Sequence, residues 1–211
     1  MNSKIISTLV VAILAVVLIG LAAFQNQTTK FGVVDLSAVA DKSKLGEREK
    51  LAFDTFRREV NNILTFINNN KVMTAQQRDQ LLTLWLAENS TDQQKQQLEQ
   101  VKSAIQTASS RYAELVRKTN PTPDELTELS EKSALAGVTQ DVLPQIQNSL
   151  AQELQARAQE KQTSVLAKAR EAAAKYGRQQ GFTVIFDSNV APYAANDVTD
   201  EVVKVMDRDN P

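Results

Sequence analysis

Along most of this chain the apolar residues recur at alternating spacings of three and four, the stripe of helices that pack on other helices. Phe53, Phe56, Val60, Ile63 and Ile67 form one such stripe. Leu98, Val101, Ile105, Ala108, Tyr112 and Leu115 form a second, and Leu143, Ile146, Leu150 and Leu154 a third. The third continues on smaller residues through Ala158, Val165, Ala169, Ala172 and Tyr176, which implies a close helix approach. The pattern changes to period two in only two places. Phe31-Gly32-Val33-Val34-Asp35-Leu36 reads as a strand apolar on both faces. In Phe182 to Asp187, Phe182, Val184 and Phe186 alternate with Thr183, Ile185 and Asp187. Asp187-Ser188-Asn189 supplies turn residues after it, so Val190 to Tyr193 is expected to return as a second short strand. A lone hairpin is marginal in water, and the strand near Phe31 is the expected partner that completes the sheet.

Helix starts are marked by a weak internal repeat. Thr74-x-x-Gln77, Thr91-x-x-Gln94 and Thr122-x-x-Glu125, each followed four residues on by Leu, are capping boxes. Pro123 sits just inside the third start, where its missing N–H costs nothing. Helices are therefore expected at 44–67, 74–88, 91–118, 123–135 and 139–176, the last about 57 Å long at 1.5 Å per residue. Gly177 and Gly181 are expected to end it, and Asp197 to Asp200 to cap a final helix with Val198, Val202, Val205 and Met206 on its apolar face. Before all this lies Ile5 to Phe24, a run without a charge after Met1-Asn2-Ser3-Lys4. It fits a cleaved export signal with a cut after Ala22. It also fits an uncleaved membrane anchor, since about 20 apolar residues span a bilayer.

Composition then removes function classes. The 24 basic and 25 acidic residues give a net charge of -1, so no bulk field favours nucleic acid. With no Cys and no His, the chain has neither a thiol nucleophile nor the commonest general base and metal ligand. Paired acids such as Asp124-Glu125 sit where they complement a helix dipole rather than where they would catalyse. No enzyme is expected, and no cofactor or metal.

The stretch Gly181 to Tyr193 (GFTVIFDSNVAPY), followed by Asp197 to Val202 (DVTDEV), resembles the C-terminal signature of the OmpH/Skp family of periplasmic chaperones. Phe31 to Leu36 is similar to that family's first strand, and Ser43-x-x-Gly46 resembles the start of its arm. The resemblance implies a homotrimer shaped like a jellyfish. A small β body would be built from three chains, with helical arms enclosing unfolded outer-membrane β-barrel proteins without ATP or metal. It implies residues 1–24 as signal peptide or anchor, 30–43 and 177–211 as the oligomerisation body, and 44–176 as the arm, with 68–138 an elaborated tip. The fold class expected is α+β and predominantly helical, with the terminal strands in the body and a long antiparallel coiled-coil arm. Two features depart from the family. The chain is nearly neutral where familiar members are often strongly basic, and its arm is interrupted at 68–70, 89–90 and 120–123. No residues match the family's proposed lipopolysaccharide site.

Two groups of residues are candidates for function. Val33, Val34, Phe182, Val184 and Phe186 are the expected core of an oligomeric body. Phe66, Leu81, Leu82 and Trp85, in a segment apolar over more than one face, suit either a client-gripping patch or the core of the tip. The rival to a chaperone is a structural one, a membrane-anchored coiled-coil scaffold held by residues 5–24.

Overall fold

The structure is a computed structural model that describes residues 29–87, 89–191 and 196–211; the expected signal or anchor at 1–24 lies outside them. In chain order the elements are β1 (Phe31–Val34), α1 (Leu36–Lys42), α2 (Lys44–Asn69), α3 (Ala75–Trp85), α4 (Asp92–Arg117), α5 (Pro123–Gln180), β2 (Val184–Asp187) and α6 (Thr199–Asp209). The fold is α+β and predominantly helical, with six helices and one two-stranded sheet among the described residues.

The capping boxes form as their spacing predicts. Thr74 and Thr91 accept from the backbone N–H of Gln77 and Gln94 at 3.1 and 3.2 Å, and those glutamines take the cap N–H in return at 2.9 and 2.8 Å. Thr122 and Glu125 repeat the exchange at 3.3 and 2.9 Å. Each cap contributes about 1 kcal/mol by satisfying donors that the helix itself leaves open.

Three expectations are corrected. The helices expected at 123–135 and 139–176 are one helix, α5. A lone Gly137 costs a helix only about 1 kcal/mol relative to Ala, and Ala134, Leu135 and Ala136 before it are strong helix formers. Gly177 does not end α5 either; the chain leaves the helix after Gln180, at Gly181, whose φ of 69° is left-handed. Among the described residues the hairpin return is also absent. Residues 188–190 are a turn and Ala191 is not in a strand, while Pro192 and Tyr193 lie outside the described residues. The Asp187 side chain accepts from both the backbone N–H and the amide of Asn189, each at 2.9 Å. Val190 and Ala191 donate to the Asp187 carbonyl at 2.9 and 3.0 Å, which curls the chain instead of extending it. β2 pairs with β1, and the pairing is parallel: Phe31 lies opposite Val184 and Val33 opposite Phe186.

The chain divides into two compact units, one of Lys44–Val165 and one of the residues up to Ser43 with those from Leu166 on. In the terminal unit β1 makes backbone hydrogen bonds along both of its edges. On its other edge Val33 bridges Asp197, taking the Asn196 carbonyl at 2.8 Å and accepting from the Val198 N–H at 2.9 Å. A Cβ at Gly32 would stand 2.8 Å from the Phe182 ring, so only glycine lets that ring lie against β1. Val39, Val202 and Met206 of α1 and α6 are fully buried here, and the Thr199 hydroxyl accepts from the Asp35 N–H while donating to the Asp197 carboxylate.

The other unit holds α2, α3, α4 and most of α5. Val60, Ile63 and Ile67 of α2 share one core with Leu81, Ile105, Leu143, Ile146 and Leu150. Glu49 pairs with Lys161 at 2.9 Å, and Lys71 bonds the Gln140 side chain, so α2 and α5 run antiparallel. Where α4 gives way to α5, Lys118 meets both oxygens of Glu125 at 2.6 and 2.7 Å, and Arg111 pairs with Glu128 at 3.0 Å. The Lys118 ammonium, then the Thr122 N–H, hold the Glu125 carboxyl down at about 2. Glu128 is lowered as well, chiefly by Arg111. Such carboxylates stabilise the fold fully above their ordinary value near 4.5, and that contribution disappears as pH falls from there towards about 2. Urea midpoints should therefore drop between pH 5 and pH 2, and less steeply in Glu125→Gln. An equal drop in the variant would show that this corner plays no part.

Candidate functional site

Two apolar surfaces stand out, one in each unit. In the terminal unit, the parallel register and the two-residue alternation put Phe31, Val33, Val184 and Phe186 on one face of the sheet. Val33 is covered, but Phe31, Val184 and Phe186 stay 47%, 39% and 38% exposed. The Phe31 and Phe186 rings lie 6.2 Å apart across the strands. Val34, on the opposite face, is buried within the chain's own core. Phe182 precedes β2, half-buried, 6.0 Å from the Tyr176 ring and with the Lys30 ammonium 4.0 Å over its face. The five residues expected to form an oligomer core are thus split. Val33 and Val34 are covered within the chain, Phe182 packs at the helix end, and Val184 and Phe186 face solvent beside Phe31. The alternation that pairs Phe31 with Val33 was the signal that Phe31 belongs to this face.

In the helical unit, Leu81 is fully buried among Val60, Ile63, Ile67 and Ile105. Phe66, Leu82 and Trp85 pack against that core while remaining partly accessible. Phe66 meets Trp85 edge to face at 5.5 Å, and the indole N–H donates to Glu59 at 2.8 Å. A polar handle satisfied in this way holds the indole at the surface, where the Lys102 ammonium lies 5.0 Å over its ring. Beside it opens a groove of about 700 Å³ lined in part by Leu51, Phe53, Phe56, Trp85, Leu86 and Arg157. The Arg157 guanidinium lies 4.0 Å over Phe56, and Leu51 is 63% exposed. Phe53 and Phe56 belong to the sequence stripe that continues through Val60, Ile63 and Ile67, whereas Leu51 lies off it. Only the fold brings them next to Trp85, more than 25 positions on.

Neither surface has the parts of a catalytic centre. Among the described residues no three Asp or Glu side chains gather as metal ligands would, and the lowered carboxylates of Glu125 and Glu128 sit in ion pairs with Lys118 and Arg111. No helix among the described residues is long and apolar enough to cross a membrane.

What decides the family is extent. From residue 30 to residue 206, through both units and every element but the last turn of α6, the sequence matches the family described as Outer membrane protein (OmpH-like). The chain belongs to the OmpH-like family. Comparison with curated proteins returns no match, nor does comparison with solved structures. OmpH-like proteins are periplasmic chaperones of outer-membrane proteins, not known as enzymes.

Proposed function

We propose that this OmpH-like protein is an ATP-independent holdase that binds unfolded outer-membrane β-barrel proteins in the cell envelope, working as a homotrimer. The observation that carries this is the family match over residues 30–206, which takes in both apolar surfaces. Residues 30–43 and 177–211 then form the oligomerising body and 44–176 the arm, with 68–138 as its elaborated tip. Residues 1–24 direct export. The exposed Phe31, Val184 and Phe186 support self-association, because two short strands make a small core and a second copy would remove these side chains from water. The groove beside Trp85 supports client contact. Its aromatic floor with charged neighbours offers many weak contacts to an unfolded chain, and weak contacts let the client leave without nucleotide hydrolysis.

The test is dilution of a urea-unfolded β-barrel membrane protein into buffer containing the purified protein and no nucleotide. Light scattering from aggregates should fall in proportion to the protein added and be abolished at a small molar excess. Scattering unchanged at every ratio would defeat the assignment.

A further inference from the structure

A second groove, of about 750 Å³, runs between α3 and α4 and differs in character from the one beside Trp85. Its floor is the half-buried pair Leu84 and Val101, and its walls carry Gln76 and Gln80 from α3 and Gln97 and Gln100 from α4. The spacings of four and three put each glutamine pair on one face of its helix, so the two rows face the same trough. Two other glutamines here have structural work, since Gln77 and Gln94 close the capping boxes. The four in the groove have no hydrogen-bond partner among the described residues. Charge is nearly absent as well. Of the residues lining the groove only Asp79 is ionised, and Arg78 lies 3.2 Å from it. Elsewhere on α4, exposed positions are laced with ion pairs such as Lys95–Asp92 and Lys102–Glu99.

A primary amide both donates and accepts, and so does each peptide unit of an extended chain. Two opposed rows of amides over an apolar floor therefore match the backbone of a strand-like segment, and they require no particular side-chain sequence. Lys- or Glu-lined walls would instead select by charge. Resting on the holdase assignment above, we propose that the α3–α4 groove binds extended, uncharged stretches of unfolded polypeptide through their backbone amides. It would thereby let one protein hold clients of differing sequence. Because the walls are neutral, this contact should survive salt that screens exposed ion pairs.

The experiment compares a fluorescent eight-residue peptide of alternating apolar and polar uncharged residues with the same peptide N-methylated at alternate positions, which removes backbone donors and keeps the side chains. Anisotropy titrations use the wild-type protein and the Gln76→Ala/Gln80→Ala/Gln97→Ala/Gln100→Ala variant, whose exposed helix positions tolerate Ala. Wild type should bind the unmodified peptide roughly tenfold more tightly than the methylated one, the loss expected for one or two hydrogen bonds. That preference should vanish in the variant and be unchanged between 50 and 500 mM salt. Equal affinity of wild type for both peptides, or an undiminished preference in the variant, would overturn the groove assignment while aggregation suppression still stood. Failure of wild type to bind either peptide would likewise remove the groove assignment alone, whereas failure to hold any unfolded protein would remove both.

Discussion

Val184→Asp combined with Phe186→Asp is expected to reduce the protein from an assembly to single chains while leaving each chain folded. Both side chains stand on the open face of the sheet, partly exposed, and neither belongs to the chain's buried core. In a single chain, aspartates at these partly exposed positions keep their carboxylates in reach of water. In an assembly that covers this face, the part of each Val or Phe still in water contributes about 1 kcal/mol by leaving it. Each replacement carboxylate would instead lose its hydration with no partner supplied. Repeated in every copy, the change exceeds what a modest interface sustains. Molar mass by light scattering should fall to that of one chain, with the far-ultraviolet dichroism of the helices unchanged. Wild-type mass retained by the variant would place the association surface elsewhere, and loss of helical signal would show that the pair supports the chain's own fold. Val33→Asp makes an informative contrast: Val33 is buried in the chain itself, so that change is expected to unfold the terminal unit.

Leu81→Ala is expected to destabilise the helical unit by about 3 kcal/mol, near the middle of the range for truncating a fully buried Leu. No part of Leu81 is exposed, and the side chains around it come from α2, α4 and α5, three other elements that cannot collapse together to fill the space. Domains have only about 5–15 kcal/mol of stability to lose, so the shift should be plain in a thermal or urea transition. Trp85 is a natural reporter, since its indole is fixed between Phe66 and Glu59 on the edge of the same core. The substitution also separates two roles that the sequence left open for this segment. A residue that grips clients from the surface would leave stability nearly unchanged and weaken holding when truncated. A core residue would do the reverse below the new melting temperature. Trp85→Ala should show a mixture of the two, because one side of the ring packs inward and the other borders the groove.

The helices were legible in the sequence because their signals are local. Thr74, Thr91 and Thr122 announce their helices through a hydroxyl and an amide or carboxylate three residues on, and nothing distant alters that geometry. The two strands were legible as strands for the same reason. Their pairing was legible in part: the strand near Phe31 is the expected partner of β2 and does pair with it, but Val190 and Ala191 do not return as a strand. Asp187-Ser188-Asn189 has the chemistry of a hairpin turn, and the side chain of Asp187 does organise a turn, but one that leads Val190 away from β2. The parallel partner lies some 150 residues earlier, and only the chain's return through α5 supplies it. Gly137 misled in the opposite sense, as a residue that weakens a helix without being able to stop one. Surfaces were the least legible. Trp85 is visible as the chain's only Trp, and Phe53 and Phe56 as members of a helical stripe, but nothing local says that α2 and α5 bring such side chains beside it. The open face of the sheet became recognisable once the register set Phe31 against Val184.

The central claim is that the protein holds an unfolded β-barrel client as an assembly and without nucleotide. The most direct measurement is the same dilution from urea, read as molar mass by light scattering behind a sizing column. A soluble species should elute whose mass equals three chains plus one client. The client within that species should still be digested by a trace of protease as an unfolded chain. A single-chain mass for the protein alone, together with a client recovered only in the aggregate, would contradict the claim.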